Sequence, residues 1–192
     1  RIYASWEEAY AISEGVLVST GKSFNSAYRY VDWLLTVPLL LIELILVMKL
    51  SASDTFKKSF KLGGLAMLMI VLGYPGEISD ASGTRWLWWS LSMIPFLFIV
   101  YELFVGLKKA QDAQPPAAQK LVGIARYLVV ASWAFYPIVF VFPMLGIEGG
   151  TATTVVEIGY SIADMVAKAV FGVLIFAIAI KKSEGEKSEV TV

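Results

Sequence analysis

The stretch VVEIGYSIADMVAKAVFGVLIFAIAI, Val155–Ile180, decides the fold. As one helix it is about 39 Å long, more than the roughly 30 Å hydrocarbon core of a bilayer. It is almost wholly apolar, yet it carries Lys168 with Asp164 four residues before it. A lysine near a bilayer midplane costs about 2.5–3.5 kcal/mol on insertion scales. Such a lysine persists where it is paired, neutralised or chemically modified. The i, i+4 spacing puts the carboxylate on the same helix face. A structural ion pair and a working site fit that spacing equally well.

Composition extends this reading to the whole chain. Apolar residues make up 57% of the 192 residues and the mean hydropathy is +0.68, the profile of a multispanning membrane protein. Formal net charge is zero, so no basic field points to nucleic acid. With no cysteine and no histidine, disulfides, thiol catalysis and His or Cys metal sites are excluded, and no metal is expected. Arg1 is not an initiator and no signal-peptide pattern follows it, so further sequence is expected before it.

Five stretches reach the roughly 20 residues that a spanning helix needs. They are Ser26–Met48, Lys61–Glu77, Trp86–Leu107, Leu121–Leu145 and Thr154–Ile180. The intervening segments 49–60 and 108–120 are rich in lysine, and the tail adds Lys181, Lys182 and Lys187. The segments 78–85 and 146–153 carry little positive charge. By the positive-inside rule the lysine-rich loops and the C-terminus face the cytoplasm. Residues 1–25 then form an extracellular loop, 26–180 one transmembrane helical bundle, and 181–192 a cytoplasmic tail. A hairpin is expected across Val16–Phe24, with a turn around Thr20.

The first span places polar groups on one stripe. At about 100° per residue, Arg29, Thr36 and Glu43 all lie within about 60° of Asp32. Asp32 and Glu43 are separated by roughly 16 Å along the axis. Desolvation favours the neutral form of a carboxyl. Asp32, with Arg29 one turn away, is expected to stay ionised, and Glu43, with no cation nearby in sequence, to hold a proton. An acceptor toward the outside and a donor toward the inside are the elements of an outward proton relay. Either carboxyl alone also fits an interhelical hydrogen bond.

These residues resemble the microbial rhodopsins, and most of all the xanthorhodopsin-like and proteorhodopsin-like proton pumps. Arg29-Tyr-Val-Asp32-Trp33-Leu-Leu-Thr36-Val-Pro38 is similar to their third helix, and Asp164-Met-Val-Ala-Lys168 to the retinal attachment helix. Met69-Ile-Val-Leu-Gly73-Tyr-Pro-Gly-Glu77 and Trp133-Ala-Phe-Tyr136-Pro137 extend the likeness over the chain. The resemblance implies an all-α membrane protein whose five helices match helices three to seven of a seven-helix retinal-binding bundle. It implies all-trans retinal bound to Lys168 as a protonated Schiff base, with Asp32 and Asp164 as counter-ions. In that family Asp32 accepts the Schiff-base proton and Glu43 returns one. Arg29 couples Asp32 to the exit, and Thr36 hydrogen-bonds near it. Trp33, Trp89, Trp133, Tyr136 and Tyr160 would line the retinal slot, with Met69 and Gly73 near the ring end. Pro38 and Pro137 would kink their helices, and Leu40 implies green absorption. Taken singly, each tryptophan is an ordinary packing residue.

Two departures from the family pattern stand out. Antenna-binding members have glycine at the position of Trp89, so no carotenoid antenna is expected here. Related pumps place a histidine against the Asp32-type acceptor at a position just before that of Arg1, so it is expected in the sequence preceding Arg1. A sensory photoreceptor is the rival within the fold, and a proton-coupled transporter the rival outside it. Sodium pumps carry Asn, Asp and Gln at the positions of Asp32, Thr36 and Glu43, and chloride pumps lack the acceptor carboxylate. The expected function is a light-driven ion transporter, not an enzyme, in the inner cell membrane. Its expected partners are the lipid bilayer, protons and further copies of the chain in a homo-oligomer.

Overall fold

A computed structural model describes residues 2–20, 26–147 and 150–190. The chain opens with helix α1 (Ile2–Ala9) and strands β1 (Tyr10–Ser13) and β2 (Val16–Ser19). The strands pair antiparallel, Tyr10 opposite Ser19 and Ser13 opposite Val16. This corrects the expected hairpin over Val16–Phe24. The turn is Glu14-Gly15, both at positive φ (52° and 78°), the geometry of a tight two-residue hairpin loop. Residues 21–25, on the far side of the expected turn, lie outside the described residues.

The long helices follow as α2 (Ala27–Val47), α3 (Ala52–Glu77), α4 (Ser82–Tyr101), the short α5 (Lys108–Asp112), α6 (Pro116–Phe140), α7 (Gly150–Met165) and α8 (Phe171–Val190). Among the described residues, five helical stretches are long and apolar enough to cross a membrane: Ala27–Val47, Ala52–Glu77, Ser82–Asp112, Pro116–Phe140 and Ile158–Glu184. Helix α3 starts nine residues before the expected span because Ser51 caps it, its Oγ accepting from the Asp54 amide at 3.1 Å. Pro116 opens α6 at a position where a missing N–H costs nothing. Pro38, Pro75, Pro95 and Pro137 lie inside helices, tolerated in a bundle whose neighbours satisfy the freed carbonyls. At its far end α8 continues through the lysine-rich segment to Val190, with Lys181 and Glu184 paired at 2.8 Å.

Burial follows helical periodicity. On α2, Val37, Leu40, Leu41, Leu44, Ile45 and Met48 are buried, whereas Val31, Leu35, Leu39 and Leu46 are exposed. The buried set meets Leu62 and Ala66 of α3, Ile99 of α4, Val122 and Val129 of α6 and Phe171 of α8. The exposed large apolar residues, such as Leu97, Phe98, Val173 and Phe176, are a surface suited to lipid rather than water.

Two π-helical turns interrupt the bundle, Glu102–Gly106 after α4 and Val166–Val170 between α7 and α8. In the first, the buried Glu102 carboxylate accepts from Lys61 Nζ at 2.5 Å and from Lys58 Nζ at 3.1 Å. Lys58 also donates to the Gly106 carbonyl at 3.0 Å. That carboxylate folds back over Gly106 and fills the space a Cβ would need. The second π-turn carries Lys168. A π-turn adds a residue and re-aims the side chains around it, which is why such turns recur at working sites.

Candidate functional site

Lys168 projects from its π-turn between two carboxylates. Its Nζ donates to Asp32 Oδ2, across from α2, and to Asp164 Oδ2 at 3.4 Å, one turn earlier on α7. The pairing of α2 with the last span is the contact that spacing alone left open. The two carboxylates are held differently. Asp164 Oδ1 accepts from the indole Nε1 of Trp33 at 3.3 Å and from the Tyr136 hydroxyl. Among the described residues, Asp32 Oδ2 accepts from Lys168 alone. Asp164 is therefore a fixed acceptor with its lone pairs engaged, and Asp32 shares its one bond with the ammonium.

Aromatic rings tie this triad to a cavity. Tyr136 stacks on Tyr160 with centroids 5.3 Å apart and meets Trp33 edge-on at 4.9 Å. The Arg29 guanidinium lies 4.6 Å from the Tyr160 ring and 5.9 Å from that of Trp33, within cation–π range. Beside them lies a cavity open on one side, with mostly apolar walls, the character of a small-molecule site. Of the residues singled out from sequence, Arg29, Trp33, Leu40, Met69, Gly73 and Trp89 line it. So do Trp133, Tyr136, Pro137, Tyr160, Asp164 and Lys168. Three do not. Asp32 reaches the site only through Lys168. Thr36 turns its hydroxyl back to the Asp32 backbone carbonyl at 2.9 Å, a local bond to the helix rather than to the carboxylate. Glu43 stands three turns along α2 on an exposed face, apart from the triad.

The walls also contain residues that the motifs did not single out. Ser92 Oγ donates to the Met69 carbonyl at 2.8 Å, and Trp89 Nε1 to the Pro137 carbonyl at 3.0 Å. A Cβ on Gly73 would sit 3.3 Å from the Tyr30 hydroxyl and 3.5 Å from Ser92 Oγ, so the bare backbone there keeps the wall thin. Phe96 and Phe140 also line the cavity, as do Tyr30 and Glu77 from the quoted motifs. Periodicity could have found two of them. Ser92 and Phe96 follow Trp89 by three and seven residues, on one face of α4.

This donor set suits an apolar aldehyde. The walls are aromatic and aliphatic, a primary amine opens into them, and two carboxylates offset its charge. An amine facing apolar walls is a group that condenses with a carbonyl, and the resulting cation requires a counter-ion.

Comparison with known proteins agrees with the geometry. The family profile described as "Bacteriorhodopsin-like protein" matches residues 3–182. The green-light absorbing proteorhodopsin of Gamma-proteobacterium EBAC31A08 is 35% identical over 95% of this chain and 78% of its own length. The crystallographic structure of xanthorhodopsin, described as a light-driven ion pump with dual chromophore, superposes with a TM-score of 0.85. It is 52% identical, over 97% of this chain and 75% of that one. The thermophilic rhodopsin structure gives the same TM-score at 46% identity, over 96% and 75% of the two chains. With a family match over nearly its whole length and a ring-lined lysine between two carboxylates, this chain belongs to the bacteriorhodopsin-like family of microbial rhodopsins.

Proposed function

We propose that this protein is a light-driven outward proton pump whose cofactor, all-trans retinal, is held on Lys168. The observation that carries the proposal is the Lys168 ammonium facing Asp32 and Asp164 in an aromatic cavity. Lys168 Nζ would hold retinal by condensing with its aldehyde, with loss of water, and the bound group would supply a visible chromophore and a light-driven isomerisation that lowers the proton affinity at Nζ. Asp32, bonded to Nζ and to no other side-chain donor among the described residues, receives that proton. Asp164, held by Trp33 and Tyr136, keeps the negative charge fixed in place. Arg29, above the Trp33 and Tyr160 rings, draws the proton outward from Asp32. Glu43, about 16 Å along the axis, returns a proton to Nζ from the cytoplasmic side.

The five spans correspond in this reading to helices three to seven of a seven-helix bundle. The lysine-rich loops and the C-terminus face the cytoplasm of a cell membrane, and the chain assembles as a homo-oligomer. A sensory photoreceptor would not need Glu43, and a carboxyl donor at that level favours the pump. The test is illumination of vesicles or cells carrying the whole protein in lightly buffered medium. External acidification that an uncoupler abolishes is the expected result; acidification that the uncoupler enhances would mean passive proton flow after export of another ion. Glu43→Gln is expected to slow the return of the proton to Nζ by about 100-fold, the scale of a positioned acid, with the absorption maximum nearly unchanged. An unaltered photocycle would remove Glu43 from the donor role.

Retinal is the sole chromophore in this proposal. The Trp89 indole is bonded to the Pro137 carbonyl and packs edge-on against Trp86 at 5.6 Å, which fills the wall where a carotenoid ring would enter. Adding a keto-carotenoid is expected to leave the retinal excitation spectrum without carotenoid bands. Carotenoid-sensitised emission from the unaltered protein would contradict this.

A further inference from the structure

The first three turns of α3 carry chemistry that the light-driven site does not use. Phe56 and Phe60 are 71% and 75% exposed and stack on each other, with centroids 6.2 Å apart and planes at 19°. One position further round the helix lie Lys57 and Lys61, also exposed and one turn apart. Residues at that spacing have Cβ atoms about 5–6 Å apart, a separation two ammonium groups can close on one phosphate.

The charges there do not cancel. Lys58 and Lys61 share the single carboxylate of Glu102. The Asp54 carboxylate is engaged in the helix cap, accepting from Ser51 Oγ at 2.8 Å. Lys57 has no partner among the described residues. Lys61 gives one bond to Glu102 yet keeps a half-exposed side chain, and an ammonium has three N–H donors. The apolar part of α3 begins at Leu62, so these turns sit where a membrane-crossing helix meets the headgroup layer. Exposed phenyl rings beside lysines are matched there by acyl chains below and phosphates above.

We propose that Lys57 and Lys61, with the Phe56–Phe60 stack beside them, bind the headgroup phosphate of an anionic phospholipid. The site depends on α3 crossing the membrane and not on the pump reading, so either can fail without the other. The test is lipid retention by the whole protein, extracted in mild detergent and offered equal amounts of phosphatidylglycerol and phosphatidylcholine. Bound lipid is counted by native mass spectrometry. Phosphatidylglycerol is expected to be preferred, and Lys57→Gln to reduce that preference about fivefold, the scale of one lysine at a charged surface. Lys57 is exposed and has no partner among the described residues, so the unfolding temperature is expected to stay unchanged. Phe56→Ser with Phe60→Ser is expected to reduce retention as well. Lys108→Gln is the control: it removes an exposed charge already bound to Asp112 and is expected to leave the preference intact. An equal loss in that control would mean a diffuse surface field and would overturn the site. So would an unaffected Lys57→Gln, or displacement of the lipid by inorganic phosphate at matched ionic strength, which would indicate a site for free anions.

Discussion

Lys168→Arg is expected to give a folded, colourless protein. Membranes carrying the parent chain and supplied with all-trans retinal are expected to develop a visible band that hydroxylamine bleaches under light; the variant is expected to show no such band. The arginine substitution separates two roles that alanine would confound. Lys168 links α2 to the last span through Asp32 and Asp164, and deleting its charge would leave two carboxylates without their shared cation. Breaking a fully buried pair in this way costs about 3–5 kcal/mol, and a partly exposed one less; here Lys168 is 31% and Asp32 46% exposed. Arginine keeps the cation and both partners. Its guanidinium stays protonated and does not condense with an aldehyde. Colour in Lys168→Arg would therefore place the chromophore on another amine or hold it without a covalent link. Loss of colour with an unchanged unfolding temperature would assign the covalent role to Nζ.

Much of this site could be read from the sequence because its parts are local. Arg29, Asp32 and Trp33 lie within one turn or so of each other, and Asp164 is one turn from Lys168, so the 3.6-residue period alone predicts shared faces. The spans were legible for the same reason, since about 20 apolar residues is a constraint on contiguous sequence. What the sequence concealed is long-range or depends on backbone irregularity. Glu102 meets Lys58 and Lys61 across 44 and 41 residues, and nothing in the local pattern pairs them. Neither π-turn has a composition that announces it, although one carries Lys168 and the other Glu102. The hairpin was misplaced because Thr20-Gly21 and Glu14-Gly15 both read as turns, and only the pairing of Tyr10 with Ser19 decides between them. Thr36 bonds near Asp32 as expected, but spacing does not say that its hydroxyl takes the backbone carbonyl of that residue rather than the carboxylate.

The unequal bonding of the two carboxylates leads to the second large effect. Asp32→Asn is expected to abolish light-driven transport, by at least about 100-fold, the scale of a positioned proton acceptor, and to shift the absorption band to the red. The shift follows from charge. A cation at Nζ is stabilised in the ground state by the carboxylate bonded to it; with Asp32 neutral, that stabilisation falls and the energy gap to the excited state narrows. Transport stops because the remaining carboxylate is a poor substitute. Asp164 already accepts from Trp33, Tyr136 and Lys168, so taking a proton there would require breaking bonds that also hold the cavity wall. Asp32 loses only its bond to Nζ, and the proton arrives along that same bond. The corresponding Asp164→Asn variant is expected to perturb the pocket through Trp33 and Tyr136 while leaving an acceptor in place, so that some transport survives. Absorption maxima and vesicle pH changes, measured on both variants side by side, distinguish the roles. If Asp164→Asn were silent in transport and Asp32→Asn active, the acceptor would be Asp164 and the direction of proton movement inferred from Asp32, Arg29 and Glu43 would fail with it.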